Sequence, residues 1–252
     1  MSERKARGPS SKRVKGSPLP QTLPAVRLFP YMHPSPIFDF SSGSPDQPLV
    51  LVPTAFERSA LQAAGCDWPI ELCGFGVIAA AARAGGLLQA QRPSRVLLLG
   101  IAGTYDAQAL PVASARRFAS LGLWGLGAGS GEQHLGPADM LPQWTLEQEG
   151  QPDQPIEQDL TTHSGSGRLI TVCAASASPA EADPIRARYP DALAEDMEAF
   201  AVALACQLHA VPFDCIRGIS NVVGERDKSR WVLRPALEAA WKLAQTEFTS
   251  AL

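Results

Sequence analysis

Short apolar runs recur along the chain and are separated by longer stretches with helical spacing. Residues 49–52, 95–99 and 213–219 are mostly apolar, which is typical of strands buried in the middle of a sheet. Residues 70–73 and 168–174 also favour strands. The alternation of these runs with helical stretches predicts an α/β fold, in which one domain has a central sheet flanked by helices.

Several helices are predicted between the strands. They run from about residue 54 toward 65, from 77 toward 89, from 184 toward 188 and from about 229 to 248. The middle of the chain has a weaker pattern. Residues 111–124 indicate a strand, whereas 127–167, rich in Gly, Pro, Gln and acidic residues, predict a long loop that is functional or mobile.

The stretch 195–227 has the clearest pattern for a functional site. Apolar residues recur at helical spacing from Met197 to Leu208, which predicts a helix with Asp196 and Glu198 in its first turn. Acidic residues at this place can serve only to complement the helix dipole, a stabilisation of roughly 0.3–1 kcal/mol. The residues alone therefore leave open whether the two acids are structural or functional.

Two polar residues, Ser220 and Asn221, follow directly after the strand predicted over 213–219. Ligand-binding groups in open α/β sheets lie at the carboxyl ends of strands. A Ser-Asn pair can also simply form a turn. Both interpretations remain open on the residues alone.

The first 47 residues are predicted to be a disordered, basic and Pro-rich extension, and residues 48–252 to be the folded domain. Residues 1–16 hold six basic residues and one acidic residue. No apolar run follows them, so a secretory signal is not indicated. An unfolded tail is the favoured interpretation.

Composition narrows the class of protein. The chain has 252 residues, 45% of them hydrophobic, which suffices for one sizeable core, and a net charge of −3 that does not favour nucleic acid or acidic membranes. The five cysteines include no CxxC pair, which is typical of core residues in a protein of the reducing cytoplasm. Four scattered histidines give no ligand spacing, so a metal site is not indicated. No cofactor is expected either.

The sequence 196–199, Asp-Met-Glu-Ala, together with 217–221, Arg-Gly-Ile-Ser-Asn, resembles the purine nucleosidase/phosphorylase family. The continuation 222–227, with Trp231 beyond it, resembles the futalosine hydrolase branch of that family. The resemblance implies a nucleoside phosphorylase-like fold with a mixed, twisted sheet. It also implies a small-molecule nucleoside as substrate, a homo-oligomer, and hydrolysis of an N-glycosidic bond.

The resemblance also implies roles for particular residues. Glu57 would be the general base that holds the attacking water. Glu198 would bind the ribose hydroxyls, with Met197 packed against the sugar, although Met197 could equally be plain core. Asn221, with Ser220 beside it, would contact the purine, because an amide can donate to a 6-oxo group and accept from N7–H.

The segment 100–103, Gly-Ile-Ala-Gly, resembles a ligand-binding turn of the family, and Ile101, Ala102 and Gly103 are expected to contact substrate. Leu98 and Ile101 stand where the hexameric phosphorylase branch has Arg and Ser for phosphate, which favours water as the nucleophile. The expected reaction is release of hypoxanthine from futalosine in menaquinone biosynthesis. A methylthioadenosine-type nucleosidase, a purine nucleoside phosphorylase and a non-catalytic nucleoside-binding relative remain alternatives.

Overall fold

The computed structural model describes residues 47–140, 145–146, 154–155, 160–162 and 164–249. Within these residues the strands are β1 (Leu49–Val52), β2 (Ile70–Leu72), β3 (Val96–Thr104), β4 (Ala115–Arg117), β5 (Ser120–Trp124), β6 (Thr145–Leu146), β7 (Gln154–Pro155), β8 (Leu160–Thr161), β9 (Arg168–Val172), β10 (Ala192–Asp196) and β11 (Phe213–Val222). The helices are α1 (Ala55–Ala63), α2 (Gly76–Gln91), α3 (Pro137–Met140), α4 (Pro179–Arg188), α5 (Ala199–Leu208) and α6 (Leu233–Thr249).

Nine of the described strands form one mixed sheet, whose main path runs β2-β1-β3-β10-β9-β5-β8. β11 pairs with β3 in parallel from end to end and carries β4 on its other edge. β3 also pairs in parallel with β1 over its first residues and antiparallel with β10 at Gly103 and Thr104. The long strand β3 is therefore the axis that brings distant parts of the chain together.

Helices cover both faces of this sheet. The buried residues of α2 and α5 pack on one face with Leu98 and Cys215. The buried residues of α1 and α6 pack on the other face with Leu97 and Ile216, and Trp241 of α6 meets Trp68 edge-on at 4.9 Å between ring centroids. The predicted α/β architecture with a mixed sheet flanked by helices is confirmed. No described helix has both the length and the apolar character needed to cross a bilayer.

The prediction of a helix starting near Glu195 is wrong at its beginning. Residues 192–196 form β10, where Glu195 pairs with Gly103 of β3 and with Ile170 of β9. Helix α5 begins only at Ala199. Backbone hydrogen bonds to two neighbouring strands hold residues 192–196 in the sheet in spite of the helical spacing that follows them. Asp196 and Glu198 therefore do not lie in a first helical turn.

Two further boundaries differ because strands continue past the predicted ends. The strand predicted over 95–99 continues as β3 through Thr104, and Ser220-Asn221, expected just after a strand, lie inside β11. The two strands pair with each other along this whole length, which keeps both extended. The glycines of this segment therefore serve close approach between side chains and backbone.

Helix α4 begins at Pro179, five residues before the predicted start, because the Ser178 hydroxyl caps its first turn. Helix α6 begins at Leu233 and follows a short 3-10 turn over Lys228–Arg230. The weak strand predicted in 111–124 is two strands, β4 and β5.

The predicted loop over 127–167 holds a 3-10 turn, a one-turn helix and three short strands among its described residues. The predicted extension lies outside the described residues except for Gln47, so the division into extension and domain stays a prediction.

Candidate active site

A cavity of about 290 Å³ opens where β1, β3 and β11 end and the chain passes from β10 to α5. The sequence-predicted site residues all line it, although they come from four separate segments of the chain. They are Glu57, Ile101, Ala102, Gly103, Met197, Glu198, Ser220 and Asn221. The tertiary structure therefore brings together every residue that was expected to act on a substrate.

Glu57 is positioned by the first turn of α1. Thr54 and Glu57 form a capping box, a pattern readable in the sequence as Thr-x-x-Glu. The Glu57 Oε2 atom accepts from the Thr54 N–H at 3.0 Å and from the Thr54 hydroxyl at 2.6 Å. Its Oε1 atom accepts from the Ile101 N–H at 3.3 Å. These bonds fix the carboxylate between α1 and β3, at the wall of the cavity.

Arg217 lies behind this wall and is wholly buried. Its Nη2 atom donates to Asp196 Oδ2 and lies 3.4 Å from Glu198 Oε2. Asp196 is held further by the Thr171 hydroxyl at 2.7 Å and the Ala199 N–H at 2.9 Å. The guanidinium thus links the end of β10 to β11 and fixes the start of α5.

Gly100 provides the space in which these groups meet. A Cβ atom at this position would lie 2.1 Å from Arg217 Nη1 and 2.8 Å from Glu57 Oε1. Neither group could stay in place beside a side chain at residue 100. The glycine is required by close approach, because Gly100 lies in the extended backbone of β3.

Glu198 faces the cavity between Arg217 and the start of α2. Its Oε1 atom accepts from the Gly76 N–H at 2.9 Å, at a helix N-terminus that favours negative charge. Burial raises the pKa of Glu198 to about 7, with Arg217 opposing the rise and the nearby Asp196 carboxylate adding to it. Protonation of this carboxyl group therefore falls near neutral pH.

The pKa of Glu57 is also raised by burial, against the opposing effects of the Thr54 hydrogen bond and the Arg217 charge. A raised pKa makes a carboxylate a better proton acceptor, as general base catalysis requires. Two buried acids therefore line one cavity with the same direction of pKa shift.

Met197 lies between β10 and α5 and not on the apolar face of a helix. Its side chain packs against Ile170, Val172 and Ile185 and also lines the cavity. The core interpretation and the ligand-contact interpretation are therefore both compatible with its position.

Asn221 is held by two hydrogen bonds that orient its amide. The Ser220 hydroxyl lies 2.7 Å from Asn221 Oδ1, and Asn221 Nδ2 donates to the Val222 carbonyl at 2.9 Å. One amide N–H and one lone pair of Oδ1 remain for a ligand. Gly103 lies directly beside this amide, since a Cβ there would stand 3.3 Å from Asn221 Nδ2.

Aromatic residues stand at the mouth of the cavity. Phe75 is 66% exposed, Phe56 is 45% exposed, and the half-buried Trp231 donates its indole N–H to the Glu225 carbonyl at 3.0 Å. Among the described residues no group of three or more His, Cys, Asp or Glu side chains could hold a metal ion. The cavity therefore offers acids, an amide and aromatic faces to an organic ligand.

Sequence reasoning gave no role to Arg217, Asp196 or Glu195, which hold or line the cavity. Arg217 and Asp196 stand inside the two motifs that carry the family resemblance, and that was the only signal for them. No feature of the sequence marked Glu195, because the strand over residues 192–196 was not predicted.

The fold and this cavity define the class of protein. Residues 53–247 match the model of the Phosphorylase superfamily, and the chain belongs to that family. It is 38% identical over 90 residues to futalosine hydrolase of Streptomyces coelicolor. It is 30% identical over 165 residues to 5′-methylthioadenosine/S-adenosylhomocysteine nucleosidase of Chromohalobacter salexigens.

The two alignments differ in extent. The first covers 35% of this chain and 38% of the Streptomyces protein, so the chain matches less than half the length of that relative. The second covers 64% of this chain and 69% of the Chromohalobacter protein.

Solved structures share the fold. A methylthioadenosine/S-adenosylhomocysteine nucleosidase of Colwellia psychrerythraea, solved in complex with adenine, superposes with a TM-score of 0.65 at 17% identity over 81% of this chain and 94% of that one. Futalosine hydrolase of Helicobacter pylori superposes with a TM-score of 0.65 at 14% identity over 82% of this chain and 98% of that one.

Proposed function

We propose that this protein hydrolyses the N-glycosidic bond of a 6-oxopurine nucleoside, and that its substrate is futalosine, which releases hypoxanthine in menaquinone biosynthesis. The observation that carries the proposal is the convergence of Glu57, Glu198 and Asn221 on one cavity. A water-activating base, a ribose-binding carboxylate and a purine-binding amide are the three groups that such a reaction needs.

In the proposed reaction Glu57 takes a proton from water while the water oxygen bonds to C1′ of the ribose. The C1′–N9 bond breaks, and its electron pair leaves with the purine, as in glycoside hydrolysis through an oxocarbenium-like transition state. The departing purine is stabilised by hydrogen bonds to Asn221 and receives its proton from solvent. Glu198 accepts hydrogen bonds from the 2′- and 3′-hydroxyls.

The charge of the site supports a cationic transition state. Asp196, Glu198 and Glu57 surround the buried guanidinium of Arg217, so three carboxyl groups face one cation at this site. Fixed negative charge next to a ribosyl cation lowers its energy without reorganisation during the reaction. Arg217 keeps these acids in place and is therefore a positioning residue.

The surroundings of Glu57 favour water over phosphate as the nucleophile. The Ile101 N–H, which could help to bind an anion, already points at Glu57 Oε1. A phosphate ion there would face this carboxylate. Leu98, at the position where the phosphorylase branch has Arg, is buried in the core.

Asn221 supports a 6-oxopurine. Its free N–H can donate to O6, and its free lone pair can accept from N7–H once the departing base has taken up a proton at N7. The rival is a methylthioadenosine-type nucleosidase, which the longer of the two alignments favours. The substituent at position 6 of the purine distinguishes the two proposals, because a 6-amino group presents a donor where Asn221 also donates.

The test is incubation of the protein with futalosine, inosine and methylthioadenosine, with and without phosphate, while free base is followed by chromatography. We expect hypoxanthine from futalosine at a rate that does not depend on phosphate. Turnover that requires phosphate would identify a phosphorylase, and adenine release from methylthioadenosine alone would identify the rival nucleosidase. Binding without release of any base would indicate a non-catalytic relative.

A further inference from the structure

Glu195 is a buried acid in the cavity wall that the proposed reaction does not use. Its side chain is 5% exposed and lines the same cavity as Asn221. The Oε1 atom accepts from the Ser176 N–H at 2.8 Å. The Oε2 atom accepts from the Ser176 hydroxyl at 2.8 Å and from the Tyr105 hydroxyl at 3.1 Å.

The sheet places Glu195 opposite Asn221. Gly103 of β3 pairs with Asn221 of β11 on one side and with Glu195 of β10 on the other. Neighbouring strands lie about 4.8 Å apart, so the Cα atoms of the two outer residues are about 10 Å apart. Paired residues of adjacent strands direct their side chains to the same face. The Val223 side chain, which also lines the cavity, approaches Gly103 on this face, since a Cβ at residue 103 would stand 3.1 Å from Val223 Cγ2.

We propose that Glu195 reads the N1–H edge of the purine base, so that Asn221 and Glu195 select a 6-oxopurine from two sides. This inference rests on the proposed function and assigns a second base-selecting residue to the same site. A purine bound in the cavity between these two residues would turn its N7 and O6 atoms to Asn221. Its N1 side would then face Glu195.

The hydrogen bonds of Glu195 explain the expected selectivity. Ser176 and Tyr105 donate three hydrogen bonds to its carboxylate, which has about four acceptor sites, so about one acceptor site remains for a ligand. A 6-oxopurine carries a hydrogen on N1 and can donate to this carboxylate. A 6-aminopurine has a lone pair on N1, which would face the carboxylate as an unpaired acceptor, and such mismatches discriminate strongly.

A purely structural role for Glu195 would be to hold the turn at Ser176. Glu181 provides a matched control, because its carboxylate accepts from the Ala177 N–H of the same turn at 2.8 Å and does not line the cavity. A change of base preference on replacing Glu195, but not Glu181, would separate base reading from support of the turn.

The experiment is calorimetric titration of the full-length protein, Glu195→Gln and Glu181→Gln with hypoxanthine, adenine and 1-methylhypoxanthine. We expect the parent to bind hypoxanthine about tenfold or more tightly than adenine and 1-methylhypoxanthine. Glu195→Gln can donate to N1 of adenine and should shift the hypoxanthine-to-adenine ratio toward adenine by about tenfold or more. Glu181→Gln should leave the ratio unchanged.

Equal weakening of both bases in Glu195→Gln, or parent binding of 1-methylhypoxanthine as tight as that of hypoxanthine, would overturn the assignment. Because the 1-methyl probe is used with the parent protein, its tight binding would refute the assignment even if Glu195→Gln does not fold. If the parent hydrolyses futalosine and prefers hypoxanthine while Glu195→Gln keeps the same hypoxanthine-to-adenine ratio, that result would refute only the role of Glu195. A parent that binds no purine and turns over no nucleoside refutes the proposed function as well.

Discussion

Replacement of Gly100 by Ala tests whether the buried charges form the framework of the cavity. The added Cβ would lie 2.1 Å from Arg217 Nη1 and 2.8 Å from Glu57 Oε1, which is closer than carbon can approach either atom. Arg217 is wholly buried and cannot retreat into solvent. Its guanidinium must therefore shift away from Asp196 or Glu198, or β3 must move away from β11.

The size of the effect follows from the cost of separating buried charges. Breaking a buried ion pair costs about 3–5 kcal/mol, because the remaining charge has no partner. For a domain of 150–250 residues each kcal/mol lowers the melting midpoint by about 2–4 °C. We therefore expect Gly100→Ala to melt roughly 6–20 °C below the parent and to lose activity, since Glu57 is displaced as well.

The assay is thermal or urea unfolding followed by circular dichroism, with nucleoside hydrolysis measured on the same samples. Gly86→Ala is the matched control, because a Cβ there meets nothing within 4 Å on the exposed side of α2. That replacement should stabilise the protein by about 0.5–1 kcal/mol, as Gly-to-Ala changes do inside helices. A Gly100→Ala protein with parental stability and activity would refute the role assigned to the Arg217 network.

Three further predictions concern the reaction. Glu57→Gln should bind nucleoside but lose ~10²–10⁴-fold in kcat, the usual contribution of a general base, and turnover within a few-fold of the parent would exclude that role. Asn221→Asp should lower kcat/KM for futalosine relative to its 6-amino counterpart by about tenfold to a hundredfold, since an ionised Asp cannot donate to O6. If the ratio of the two kcat/KM values is unchanged at pH 6 and pH 8, Asn221 does not select the base. The pKa values of Glu57 and Glu198 are raised, to about 7 for Glu198, and both groups act as carboxylates. We therefore expect kcat/KM to rise with pH through neutrality, and a profile that stays flat from pH 5.5 to 8 would contradict this.

The sequence alone predicted the core strands and the site residues for identifiable reasons. The run Leu49–Val52 is apolar without interruption and forms a fully buried strand, because a central strand of a sheet is covered on both faces. The candidate residues Glu198 and Asn221 were found through short motifs, and the structure places both on one cavity. Their roles stay predictions.

The sequence misled where local periodicity competed with pairing between distant strands. The helical spacing from Met197 to Leu208 predicted a first turn that includes Asp196, yet residues 192–196 join the sheet because β3 and β9 offer them hydrogen-bond partners. Propensity within a short window carries no information about such partners. Only the tertiary structure therefore revealed that Glu195 belongs to a strand and faces the cavity.

The chain by itself determined which residue types were available for chemistry, and the tertiary structure decided how they act together. Glu57, Gly100 and Arg217 are separated by many residues in sequence, yet a missing side chain at Gly100 lets the other two approach. A buried charge is stable only when several partners converge on it from different elements. That convergence depends on the register of β11 against β3, which no local pattern in the sequence specifies.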